Sequence, residues 1–238
     1  MNKGLSGSTL KIIAMVTMLI DHIGAAVLAR MIMAGNADLY DTYRLLRMIG
    51  RIAFPIFCFL LIEGFQYTKN AKKYAARLFL FAAISEIPFD LAFSAQVLEF
   101  EYQNVFFTLA IGLVTIMTYK KVEEAPIPNM VIKVVLQLAV ALAGGCVAEV
   151  LRTDYGMLGV MVLVVFYVLR ANRFRQIVAG SVLFIENITA LFAFIPVALY
   201  DGRRGLNVKW LFYIFYPAHL LVLYAVCYSM GLADIPVV

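Results

Sequence analysis

An all-α, polytopic transmembrane bundle of about 8–9 membrane segments is the fold class that this sequence predicts, and three observations predict it. Of 238 residues, 63% are hydrophobic and only 15% charged, with a mean hydropathy of +0.89, which leaves too little polar surface to cover a water-soluble globule. Apolar runs close to the roughly 20 residues needed to cross a bilayer recur along the whole chain. The runs are continuous and rich in Leu, Ile and Ala, without the alternation of short strands that marks a β-barrel.

In chain order the runs cover 10–31, 45–67, 74–95, 104–119, 130–149, 156–170, 176–200 and 209–230. The first is too long for a cleaved signal peptide, carries a central charge pair and lacks a small-residue cleavage site, so it is expected to stay. No low-complexity stretch separates the runs, and one domain over 1–238 is expected, with the tail ADIPVV frayed. Lys69, Lys72, Lys73 and Arg77 share one connector, Lys120 and Lys121 a second, and Arg170, Arg173 and Arg175 a third. These alternate with FSAQVLEFEYQN and LRTDYG, so the basic connectors and the N-terminus are expected on the cytoplasmic side of a bacterial inner membrane. DGRRGLNVK, after Tyr200, breaks that alternation. A re-entrant or broken element over 176–200, turning near Glu186 and Asn187, would return Arg203, Arg204 and Lys209 to the cytoplasm. Cys58, Cys146 and Cys227 all lie in apolar runs, where cysteine acts as a small hydrophobe, and neither a disulfide nor a metal site is expected. The net charge of +5 reflects inner-face anchoring and points to no nucleic acid.

Asp21 and His22 sit in the middle of the first run, where a charged side chain costs about 2.5 to 3.5 kcal/mol on insertion scales. An ionisable pair at that depth needs a partner, a polar cavity or a task. Lys11 lies eleven residues before His22, a spacing that at about 100° per residue returns to nearly the same helix face. Arg44, Arg47 and Arg51 form one stripe on the second run, and Glu86 and Asp90 share a face across Pro88 on the third. At about 1.5 Å rise per residue, His22, Arg51, Glu86 and the tip near Glu186 fall in one layer in the outer half of the membrane. Structural readings stand beside these. Arg51 with Glu86 would also serve as a buried ion pair, Lys69 to Arg77 as a topological anchor, and His219 beside Pro217 as a core histidine. Trp210, Phe212, Tyr213 and Tyr216 read as an interfacial aromatic belt.

LKIIAMVTMLIDHIGA at 10–25, LLRMIGRIAFPIFCFLLIEGFQYTKN at 45–70, YAARLFLFAAISEIPFDLAF at 74–93, QNVFFTLAIGL at 103–113, DYGMLGVMVLVVFYVLR at 154–170, YDGRRG at 200–205 and FYIFYPAHLLVLY at 212–224 resemble the TraX family of conjugation-associated membrane proteins. The resemblance runs in order over most of the chain. It implies an integral membrane acetyltransferase, since the family's namesake N-acetylates F-type pilin subunits with acetyl-CoA as donor. The chain is also similar to transmembrane acyltransferases of cell-surface polysaccharides. In those a basic residue and a histidine about eleven positions apart mark the first helix, as Lys11 and His22 do here, and Glu63-Gly64-Phe65 stands where Ser-Gly-Phe is more common.

What this implies is acyl transfer from cytoplasmic acyl-CoA to a pilin N-terminus or an envelope glycan or lipid, with no metal. His22 is expected as general base, oriented by Glu86 or Asp21, with Arg51 stabilising an oxyanion or pinning Glu86. Lys11, Lys69, Lys72, Lys73 and Arg77 are expected to meet the phosphates. Arg47, Glu63, Asp90, Asn104 and His219 are further candidates. A proton-coupled transporter or flippase would use the same buried groups, although no inverted repeat is evident between the two halves. A purely structural assembly subunit would leave the polar layer unexplained.

Overall fold

Ser6 opens the first helix by accepting a hydrogen bond at Oγ from Thr9 N at 3.3 Å. The computed structural model describes residues 4–206 and 209–237; Asn207, Val208 and the Lys209 side chain fall outside the described residues of the 201–209 loop. Helix α1 (Gly7–His22) passes through a π-helical turn (Ile23–Leu28) into α2 (Ala29–Met33), a continuous helix of 27 residues. Single π-turns inside α-helices are often found at functional sites, and this one begins at the residue after His22.

A 31-residue helical segment follows, made of a 3-10 turn (Ala37–Leu39), α3 (Tyr40–Gly50) and α4 (Ala53–Tyr67), with a break at Arg51 and Ile52. Then come α5 (Ala71–Phe93), α6 (Val105–Glu124), α7 (Met130–Val150), α8 (Gly156–Val168), α9 (Arg173–Leu183), a 3-10 helix (Ile188–Ala193), α10 (Phe194–Ala198) and α11 (Lys209–Ser229). Five of these segments, among the described residues, are long and apolar enough to cross a membrane: Gly7–Met33, Ala37–Tyr67, Val105–Glu124, Met130–Val150 and Trp210–Ser229. The protein is an all-helical, polytopic membrane protein. Of the remaining expected runs, α5 is interrupted by Arg77, Glu86 and Asp90, α8 has 13 residues, and 176–200 is broken.

The chain gathers into two compact units. The first holds Met1–Leu60, Ile84–Glu99 and Ser181–Val238; the second holds Leu61–Ala83 and Phe100–Gly180. Helices α4, α5 and α9 each run from one into the other, so neither unit is a contiguous stretch.

In the first unit α3 and α11 pack on α1 and its π-turn. The contact with α3 is close because position 50 is glycine: a Cβ there would overlap Asp21 Cβ and Oδ1. The broken element is as expected, since α9 ends at Leu183, residues 184–187 turn, and the chain resumes as the 3-10 helix and α10. Beyond α10 the chain returns to the start of α1. Asp201 N donates to Leu5 O at 3.0 Å, Gly7 N to Arg203 O at 2.8 Å and Ser8 N to Arg204 O at 3.0 Å, which satisfies amides that open a helix. Arg203 Nε donates to Asp201 Oδ2 at 2.7 Å, and the Arg203 bonds hold the Asp201 carboxyl below the ordinary carboxylate range. The basic 203–204 pair therefore lies at the N-terminal end of α1.

The second unit centres on α6, α7 and α8, packed through small residues: Gly112 faces Leu163, Gly144 faces Thr115, and Gly145 faces Met157 and Met161. Only 11% of the apolar stretch of α7 is buried, as suits a helix whose outer side meets lipid. Asn104 proves to be the cap of α6: its Oδ1 accepts from Phe106 N at 3.0 Å and its Nδ2 donates to Ala82 O at 2.9 Å.

Candidate functional site

Two polar side chains leave α1 side by side and find different partners. Arg47, on α3, donates from Nη1 to Asp21 Oδ2 at 2.7 Å, and Gly50, one turn further on, lies against the same carboxylate. The pair is partly shielded, with side-chain exposures of 26% and 17%. Sequence reasoning gave Arg51 the central role on this stripe. The structure gives Asp21 to Arg47, because Arg47 lies on the α3 face that crosses α1, whereas Arg51 stands half-buried at the break between α3 and α4.

His22 Nδ1 meets His219 Nε2, on α11, at 2.7 Å, with the two rings inclined by only 6°. The far nitrogen of His219, Nδ1, donates to Phe215 O at 2.7 Å, one turn back in α11. Phe93 and Tyr216 meet the His22 ring in T-shaped contacts, and Phe215 stacks on His219 at 4.7 Å. The expected orienting group at this nitrogen was a carboxylate, Glu86 or Asp21; the observed one is a second imidazole, while Asp21 is turned to Arg47. Tyr213 and Tyr216, expected in an interfacial belt, are buried at 3% and 2% exposure, and only Trp210 of the set is well exposed.

Because α1 is regular over 7–22, the eleven-residue spacing keeps Lys11 and His22 on one helix face. Glu86 and Asp90 are both buried on α5, and Asp90 Oδ2 accepts from Glu99 N at 2.8 Å, which ties down the 94–99 loop. Glu63 is half-buried in the second unit. Of the expected phosphate ligands, Lys72 and Lys73 are exposed in the first turn of α5 and Arg77 is half-buried with its guanidinium 5.7 Å from the Tyr74 ring centre. These three belong to the second unit, and Lys11 and His22 to the first.

Sequence reasoning missed Arg30. It is fully buried in α2, donating to Ala26 O at 3.1 Å, Leu91 O at 3.3 Å and Ala92 O. It caps the last carbonyls of α5, where a cation suits the partial negative charge of a helix end. The signal was a lone arginine inside the apolar helix, followed by the apolar residues Met31, Ile32 and Met33.

The TraX protein family matches residues 6–227. A probable fimbrial assembly protein FimC, serogroup H1, of Dichelobacter nodosus is 29% identical over 252 residues, covering 93% of this chain and 96% of the relative. No solved structure matches. The family match spans nearly all of the helices, and the chain belongs to the TraX family.

Proposed function

We propose that this protein is a membrane-embedded acyltransferase that moves an acetyl or other acyl group from acyl-CoA to an acceptor amine or hydroxyl, with a pilin N-terminus as the first candidate acceptor and an envelope glycan or lipid as the second. Family membership and a relative named for fimbrial assembly support the pilus-linked acceptor. The observation that carries the chemistry is the junction of α1, α3 and α11, which sets a histidine oriented by a second ring beside an Arg47–Asp21 ion pair.

Acyl-CoA, when bound, supplies the activated thioester. Its polyanionic head suits the basic residues that the sequence marks on α5, Lys72, Lys73 and Arg77; the exposed ammonium groups of Lys72 and Lys73 fit phosphate oxygens, and this assignment stands on charge. His22 takes the acceptor's proton, and its ring is held in place through Nδ1. Asp21 and Arg47 neutralise one another next to that ring, so that α1 and α3 can bring it to this depth without a bare charge. Arg51 and Glu86 are the other charged groups of the first unit that we assign to the site, as stabiliser of developing charge and as its counter-ion. The N-terminus and the loop that closes on it are assigned to the cytoplasmic face of a bacterial inner membrane, since the basic 203–204 pair lies there.

The test uses detergent-purified, full-length protein. Binding of CoA, and transfer of label from acetyl-CoA to a pilin, are the expected results. A protein that holds no CoA and instead moves protons across vesicles would be a transporter.

A further inference from the structure

We infer that His219 is a positioning residue that sets the tautomer of His22 and shares the proton His22 picks up. The tautomer follows from the geometry alone; the proton sharing rests on the reading of His22 as the base.

The chain contains only two histidines, 197 positions apart, and the fold brings them ring to ring. A nitrogen–nitrogen contact of 2.7 Å between nearly coplanar rings requires one hydrogen between them. A neutral imidazole has one donor and one acceptor nitrogen, so the direction of that bond is decided at the end of the chain of contacts. There stands Phe215 O, a backbone carbonyl, which can only accept. His219 therefore carries its hydrogen on Nδ1, and its Nε2 accepts. His22 must then carry its hydrogen on Nδ1, which leaves the lone pair on Nε2. A carbonyl that never changes protonation thus polarises both rings in series and frees one nitrogen of His22 to act as base.

The same geometry says where the positive charge goes. When His22 Nε2 takes a proton, the hydrogen on Nδ1 can cross to His219 Nε2, and the cation then sits on a ring bonded to Phe215 O and stacked on the Phe215 face at 4.7 Å. Return of that hydrogen to Nδ1, with loss of the Nε2 proton to the departing CoA thiolate, restores the neutral pair, so the exchange is balanced. A carboxylate would bind the cation more tightly, but Asp21 is committed to Arg47. Two imidazoles in line keep the base neutral between turnovers, which a buried site favours.

The experiment labels histidine with nitrogen-15 in the full-length protein, where two residues give four ring nitrogens. Expected are a protonated Nδ1 and bare Nε2 on His22, a protonated Nδ1 on His219, and scalar coupling across the hydrogen bond between His22 Nδ1 and His219 Nε2. His219→Gln retains an acceptor oxygen and is expected to keep the His22 tautomer while acyl transfer falls about tenfold. His219→Leu is expected to lose the tautomer preference and about a hundredfold in transfer, with KM for acyl-CoA nearly unchanged in both. Absence of the coupling in wild-type protein, or an unchanged His22 tautomer in the Leu variant, would overturn the positioning role. Full transfer by the Gln variant would overturn the proton sharing. A wild-type protein that shows the coupled pair and transfers no acyl group removes the acyltransferase reading and leaves the tautomer assignment standing.

Discussion

Two arginine–carboxylate pairs, one in each unit, are built from the same parts and lie in different settings. In the second unit Arg170 Nη2 reaches both oxygens of Glu123, at 3.2 and 3.1 Å, while the Tyr167 hydroxyl donates to Glu123 Oε2 at 2.8 Å and the guanidinium lies over the Tyr167 ring at 4.0 Å. That cluster joins the end of α6 to the end of α8, and it ties helices together. In the first unit Arg47 meets Asp21 deep within membrane-length helices, next to a histidine and two residues before a π-turn. Identical chemistry is a staple at a helix end and, in mid-helix, lies beside the candidate site. Position within the span, and the titratable neighbour, make the difference.

The sharpest way to break this comparison is at the histidine. His22→Ala is expected to lower acyl transfer by roughly a hundredfold or more while expression and CoA binding stay near normal. A variant that inserts normally and turns over at the wild-type rate would remove His22 from the chemistry.

Gly50→Ala tests the close approach behind Asp21. Its methyl would overlap the Asp21 side chain, so α3 must shift or the Arg47 bond must break. Overpacking of this kind costs about 1–3 kcal/mol, and lost thermal stability together with lost activity is expected. By contrast, Glu123→Gln should cost about 1 kcal/mol of stability, since the pair is partly exposed, with side-chain values of 29% for Arg170 and 37% for Glu123, and should leave acyl transfer unchanged. Equal losses of activity in both variants would erase the distinction between the two pairs.

Replacing Lys72, Lys73 and Arg77 together by Ala is expected to raise KM for acyl-CoA severalfold with a smaller change in kcat, because phosphate binding is common to ground and transition states. An unchanged KM in well-inserted protein would move the donor site away from α5, with the Arg203–Arg204 loop next to be tried. The smallest perturbation is a label. Leu206→Cys, exposed in the loop that closes on α1, should react with an impermeant thiol reagent only after cells are opened, and reaction in intact cells would reverse the orientation.

Helix positions were legible because hydropathy is a local property: apolar runs at 10–31, 45–67, 104–119, 130–149 and 209–230 became helices, although the polar turns at Ala37 and Glu124 carry two of them beyond the apolar limits. The break near 186 was legible from misplaced charge, and the common face of Lys11 and His22 from the regular turn of an α-helix. What the amino-acid order alone determined, then, is where the apolar helices lie, which charged groups they carry, and the family the chain belongs to. Pairing was decided by the fold. Arg44, Arg47 and Arg51 are equivalent along one helical stripe, and only the crossing of α3 over α1, with glycine at the contact, selects Arg47 for Asp21. No periodicity announces the π-turn after His22, and nothing local to Arg30 says that it will cap α5. The histidines lie 197 residues apart, so their hydrogen bond exists only once α1 and α11 are packed, and with it the choice of which nitrogen of His22 stays bare.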